Sequence, residues 1–205
     1  MNKIDGRTAS TASTPLPAFS HVASSGQPTP SPPTSATSAE YRLPGVEKRF
    51  SASQVNAGIL ANRLIDVCHE HGEVVTNLRL QKLLYYAQAW HLALRGVPLF
   101  PEDFEAWPNG PIQPDVYAEF RHFGTRPIDR VDSGIRLPKK IEEHIKDLLQ
   151  SYGRLSPFEL DLLSCEESPW RDARSGLQPD EPSRRIIPQA AMKTYYKLKL
   201  DGKKQ

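Results

Sequence analysis

The stretch "TNLRLQKLLYYAQAWHLALRG", Thr76 to Gly96, decides how the rest of the chain is read. Thr76 or Asn77 supplies a side-chain oxygen for the first turn and Gly96 a stop, so the spacing predicts one helix between them. Leu80, Leu83, Leu84, Ala87, His91 and Leu94 form one apolar stripe, while Leu78, Tyr85, Ala89 and Leu92 line the opposite side. A helix apolar on both sides cannot lie on a surface facing water. It is central, or it offers one face to a partner.

Upstream, "SASQVNAGILANRLIDVCHEHGE" (51–73) repeats Val55, Ile59, Leu60, Leu64, Ile65 and Cys68 at roughly helical intervals. Ser51 and Gln54 have capping-box spacing, and Gly72 ends the run. Before it, residues 1–50 form a tail in which Ser, Thr, Pro and Ala dominate, culminating in "SSGQPTPSPPTSATSAE". Too little apolar surface is available there to offset roughly 1–2 kcal/mol of ordering entropy per residue, so the composition predicts disorder.

Downstream, "VPLFPEDFEAW" (97–107) has too many prolines for a helix, and Phe104 and Ala106 alternate with Glu105 and Trp107 as in a short extended segment or hairpin. "PNGPIQ" is a rigid turn: Asn109 and Gly110 tolerate positive φ, and Pro108 and Pro111 restrict the residues before them. Pro114 then suits the first turn of a helix carrying Val116, Tyr117, Phe120 and Phe123 and ending at Gly124. Trp107 and Phe120 anchor this proline corner. Further helices are predicted at "PKKIEEHIKDLLQSYG" (138–153), "SPFELDLLSC" (156–165), where Ser156, Pro157 and Glu159 mark the start, "SPWRDAR" (168–174) and "IIPQAAMKTYYKLKL" (186–200), with Met192, Tyr195 and Tyr196 facing inward. The fold class is therefore mainly α: one compact helical domain over residues 51–200 with a small extended segment, followed by a basic tail at 201–205.

The 205 residues carry a formal net charge of +2, short of the concentrated basic balance of a dedicated nucleic-acid binder. No stretch approaches the roughly 20 apolar residues of a membrane helix. The two cysteines, Cys68 and Cys165, lack CxxC spacing and read as reduced thiols, so a cytoplasmic location is expected.

Searches for chemistry return little. Cys68, His69 and His71 crowd at one helix end, but a zinc site needs about four ligands and no second pair accompanies them. His91 reads as a hydrogen-bonded core histidine. No Walker, GxGxxG, HExxH or GxSxG motif occurs. No cofactor, metal or catalytic set is expected. Aromatic rings beside cations are more abundant: Lys82 near Tyr85 and Tyr86, Arg121 near Phe120, Arg171 beside Trp170. Such residues dominate protein interfaces and are also ordinary core material, and both readings stay open for Trp107, Trp170, Tyr85 and Tyr86.

"LRLQKLLYYAQAWHL", then "PLFPEDFEAWPNGPIQPDVYAEF", then "SPFELDLLSCEESPWRDAR", occur in an order that resembles the Panacea domain, whose members include SocA-like antitoxins. The resemblance runs from about Ser53 to about Leu198 and leaves out the first fifty residues. It implies a mostly helical fold and an antitoxin that neutralises a cognate protein toxin by direct binding, as a homo-oligomer or in a hetero-oligomer with the toxin. In the SocA-like branch it also implies an adaptor that delivers the toxin to the ClpXP protease. It offers no catalytic residues to carry over. Lys82, Tyr85, Gln88, Trp107, Gly110, Pro111 and Trp170 match recurrent family positions, with Gln88, Gly110, Pro111 and Trp170 as fold determinants. Lys82, Tyr85, Tyr86, Trp107, Asn109 and Arg121, which gather around the central helix and the proline corner, are the expected toxin contacts. A DNA-binding regulator of its own operon is the alternative reading.

Overall fold

The computed structural model describes residues 47–129 and 132–202. The expected disordered tail up to residue 46 and the last three residues of the expected basic tail, 203–205, lie outside them. Ahead of the expected start of order at Ser51, the described residues already include β1 (Lys48–Arg49). Ser51 and Gln54 do cap, but what they cap is a single 3-10 turn, Ala52–Gln54. The first long helix, α1 (Ala57–Glu70), starts one turn later, where Asn56 accepts from the Ile59 amide. It stops before Gly72, which takes φ +73°.

Helix α2 (Asn77–Arg95) has the expected limits: the Thr76 hydroxyl accepts from the Arg79 amide, and Gly96 closes it in the left-handed region. The chain then forms β2 (Phe104–Trp107) and β3 (Gly110–Ile112), an antiparallel hairpin in which Trp107 pairs with Gly110 across Pro108 and Asn109. Phe104 and Ala106 point inward, as the alternation predicts. Helix α3 (Pro114–Phe120) follows, capped by the Gln113 side chain and extended by a 3-10 turn to Phe123. Next come β4 (Ile135–Arg136), parallel to β1, and α4 (Lys139–Tyr152). Helix α5 (Pro157–Glu166) opens with the expected capping box between Ser156 and Glu159. Helix α6 (Ser168–Ala173), β5 (Ile186–Ile187) and α7 (Gln189–Gly202) complete the described chain. Strand β5 pairs antiparallel with β2, giving the sheet order β3-β2-β5.

The fold is mainly α and built around α2. Helices α1, α3, α4, α5 and α7 and strand β3 all pack on it, α7 most extensively. Leu80, Leu83 and Leu84 are fully buried, and each contributes about 1.5–3 kcal/mol of hydrophobic stabilisation. The apolar surround is broken at both ends of the helix, where Leu78 and Leu94 are exposed. Trp90 donates its indole N–H to the Tyr152 hydroxyl at 2.9 Å, and His144 shares a hydrogen bond with the Ala87 carbonyl, tying α4 to α2. His91 is half-buried and bonds the Val97 carbonyl. Arg63 joins α1 to α4 through Glu142.

Candidate functional site

Helix α2 and the proline corner meet at Lys82. This lysine sits in an apolar run, yet the structure buries it almost completely. Its ammonium donates to the Asn109 carbonyl and pairs with Asp161 of α5 at 2.9 Å. Burial pushes the lysine pKa down, against the opposing pull of Asp161. One side chain thus fixes the hairpin turn and α5 to the same point of α2.

Gly110 is required by this arrangement. Its φ is +90°, and a Cβ there would run into the Lys82 ammonium, with Ser164 Oγ 3.0 Å away and Cys165 Sγ 3.3 Å away. Pro111, opposite Ala106, is buried in the sheet. The corner is also braced from behind. Trp170 donates its indole N–H to the Trp107 carbonyl at 2.9 Å, and the buried Arg174 guanidinium reaches the carbonyls of Ala106 (3.0 Å), Gln178 (2.8 Å), Pro179 (3.1 Å) and Glu181 (2.9 Å). The cation over the Trp170 ring is therefore Arg174, 5.3 Å from its centroid, and not the sequence neighbour Arg171.

Two glutamines of α2 hold the loops on either side. Gln88 donates to the Phe100 carbonyl at 2.8 Å and accepts from the Leu99 amide at 2.7 Å. Gln81 accepts from the Gln113 amide at 2.8 Å, at the start of α3. On the α7 side, Glu167 is the focus. Its carboxylate accepts from Tyr196 (2.6 Å) and Tyr85 (3.3 Å) and pairs with Lys199 at 2.9 Å. Burial pushes this carboxyl up, with the hydrogen bonds from Tyr196 and Lys199 working against it. Burial alone lowers Lys199, but Glu167 outweighs it and the net shift is upward. Tyr85 and Tyr196 are held far above their ordinary value, first by burial and then by neighbouring charge and phenol groups.

Of the six residues expected to touch a partner, the structure places three inside. Lys82, Tyr85 and Tyr86 are each 1% exposed or less, so none reaches a partner from its present position. Tyr85 packs edge-on against Phe104 at 5.5 Å, and Tyr86 stacks on Tyr152 at 4.2 Å. The other three lie at the surface around the corner: Trp107 half-buried, Asn109 and Arg121 exposed. The Trp107 ring meets Tyr117 edge-on at 5.0 Å, and Arg121 lies one helical turn beyond Tyr117. A groove of about 400 Å³ opens between Trp107 and Pro108 on one side and Pro182 to Arg184 on the other.

Sequence reasoning missed Asp161, Glu167 and Lys199, whose partners lie far away along the chain, and Arg174, which bonds both the distant Ala106 carbonyl and the nearby loop. It also missed α5's outer surface, where Phe158 is 75% and Leu162 50% exposed. The signal was present, since apolar residues at 158, 160, 162 and 163 circle the helix.

A groove of about 770 Å³ between α1 and α4 carries Arg63, paired there with Glu70 and Glu142. Among the described residues no group of three or more His, Cys, Asp or Glu could hold a metal, and burial pushes the Cys68 thiol up to about 12. No described helix is long and apolar enough to cross a membrane.

Residues 80–171 match the family described as antitoxin SocA-like, Panacea domain. The curated protein Antitoxin SocA of Caulobacter vibrioides (strain NA1000 / CB15N) is 34% identical over 129 residues, covering 57% of this chain and 69% of that protein. No solved structure matches significantly.

Proposed function

Since the chain belongs to the SocA-like, Panacea-domain family, we propose that it is an antitoxin that silences a cognate protein toxin by binding it. The observation that carries this reading is the likeness to Antitoxin SocA, together with the family match over residues 80–171, which takes in most of the central helix, the proline corner and α5. The geometry supports a binding role over catalysis. Two buried ionisable groups at the centre are spent on internal partners: Lys82 on Asp161 and Asn109, Glu167 on two tyrosines and a lysine.

In this reading Trp107, Asn109 and Arg121 contact the toxin, and Lys82, Tyr85 and Tyr86 act from inside by holding the contact surface in shape. Nanomolar silencing requires about −12 kcal/mol, supplied by an interface of about 1,600 Å² with a few aromatic or arginine anchors. Delivery of the bound toxin to ClpXP is the further step this reading includes.

The test is co-expression with the product of the reading frame adjacent to its gene. That product alone should arrest growth, and the chain should restore it. Arg121→Ala, an exposed change that leaves the fold alone, should weaken rescue, as should Trp107→Ala. Toxin half-life should shorten only when the chain and the protease are both present. An adjacent product that is harmless alone, or that still kills in the presence of the chain, would sink the antitoxin reading. An unchanged half-life would remove only the delivery step.

A further inference from the structure

We propose that the outward face of α5 is the centre of the docking surface, and that it takes an apolar pocket of the partner rimmed by lysine or arginine. This rests on the antitoxin reading. Leu160 and Ser164 form the buried side of the helix, one turn apart, and the buried Glu167 follows just past its end. On the opposite side Phe158, Leu162 and Glu166 make a stripe one turn apart, flanked by Glu159 and by Leu163, which is 39% exposed. Phe158 is the most exposed large apolar residue among those described. Nothing else in the described domain covers this face.

Charge selects the occupant. Helix α5 carries no lysine or arginine, in a chain whose formal charge is +2. Asp161 and Glu167 are compensated from within by Lys82 and Lys199, but Glu159 and Glu166 form no ion pair among the described residues. Two carboxylates without a cationic partner among the described residues therefore border the apolar stripe, Glu159 accepting the Ser156 amide at 2.8 Å as the helix cap. A second copy of the chain would set the same carboxylates against each other across a two-fold axis, which costs free energy. Nucleic-acid phosphate is repelled for the same reason. A cationic rim on a different protein is the complement.

The stripe also joins the proline corner. Asp161 and Cys165 lie on the flank of α5 that faces Lys82 and Gly110, and Lys82 holds the Asn109 carbonyl. Phe158 and Leu162 thus continue through this flank to Asn109, Pro108 and Trp107. Three apolar side chains alone fall short of the ~800 Å² per partner of a stable interface, and the two regions together form one extended surface.

The experiment uses the full chain and the purified product of the adjacent reading frame, with binding measured at low and high salt and growth rescue scored in parallel. Phe158→Asp should weaken binding at least ten-fold and abolish rescue, with an unchanged thermal midpoint, since the residue is exposed. Glu159→Gln combined with Glu166→Lys preserves the hydrogen bond to the Ser156 amide and should weaken binding and flatten its salt dependence. Wild-type binding and rescue by both folded variants would overturn the proposal and leave the antitoxin reading in place. A wild-type dimer in solution that Phe158→Asp splits would overturn it in favour of a second copy. Wild-type chain that neither binds nor rescues would remove the antitoxin reading, and this inference with it.

Discussion

Helices α2 and α5 both carry apolar residues around their circumference, yet the fold treats them in opposite ways. Around α2 every neighbouring element closes in, and Tyr85 and Tyr86 on its second face are fully enclosed by Phe104, Tyr152 and Tyr196. Around α5 only one side is covered, and Phe158 and Leu162 stand in solvent. Of the two branches open to such a helix, central or offering a face to a partner, α2 takes the first, and the second is the one proposed for α5. Apolar content all round sets the choice, and the number of packing neighbours settles it.

The contrast can be broken by mutation, and the largest effect falls on α2. Tyr85→Ala removes a fully buried ring and should cost about 3–5 kcal/mol in chemical denaturation; a loss below about 1 kcal/mol would mean that this face is not enclosed. Gly110→Ala comes next, at about 2–3 kcal/mol, because the left-handed backbone and the Lys82 ammonium both oppose a methyl group. A folded variant of unchanged midpoint would show that Lys82 has another place to go.

Glu167→Gln sharpens the comparison through pH, at about 1.5 kcal/mol for its charged hydrogen bonds. The Glu167 carboxyl is held above its ordinary 4.5, so over that window the folded chain keeps a proton that the unfolded chain has lost. Wild-type stability therefore falls as pH rises from 4.5 through the raised value, and the variant should lack that fall. Parallel stability profiles for the two proteins from about pH 4 to about pH 8 would contradict this assignment. The smallest effect belongs to α5: Phe158→Ser should leave stability within about 0.5 kcal/mol of wild type, as for any exposed position. A clear drop would show that the ring packs within the domain.

Much of the fold was legible in the sequence because periodicity and end signals are local. Thr76, Gly96, Pro114, Ser156 and Glu159 mark helix limits through contacts within a turn of themselves, and the hairpin announces itself through Phe104 and Ala106. The two-residue strands β1, β4 and β5 carry no pattern long enough to read. Asn56 was passed over as a helix start because Ser51 and Gln54 offered a box one turn earlier, and that box caps only the 3-10 turn. The candidate site was legible in part. Trp107, Asn109 and Arg121 reach the surface, whereas Lys82, expected at a partner for its place beside the central helix and the proline corner, is held inside by Asp161, far along the chain. A lysine inside a leucine run looks the same in sequence whether its partner is in this chain or in another.

Helix α7 supplies a whole wall of the central helix, with Met192 and Tyr196 fully enclosed and Lys199 reaching back to Glu167. Synthesis proceeds from the amino terminus, so α1 to α6 leave the ribosome while one flank of α2 is still bare. During that interval the nascent chain exposes a second greasy face, a transient target for chaperones and proteases. Sealing waits for translation to pass α7, so a stable domain is born only once the chain has been made through residue 202.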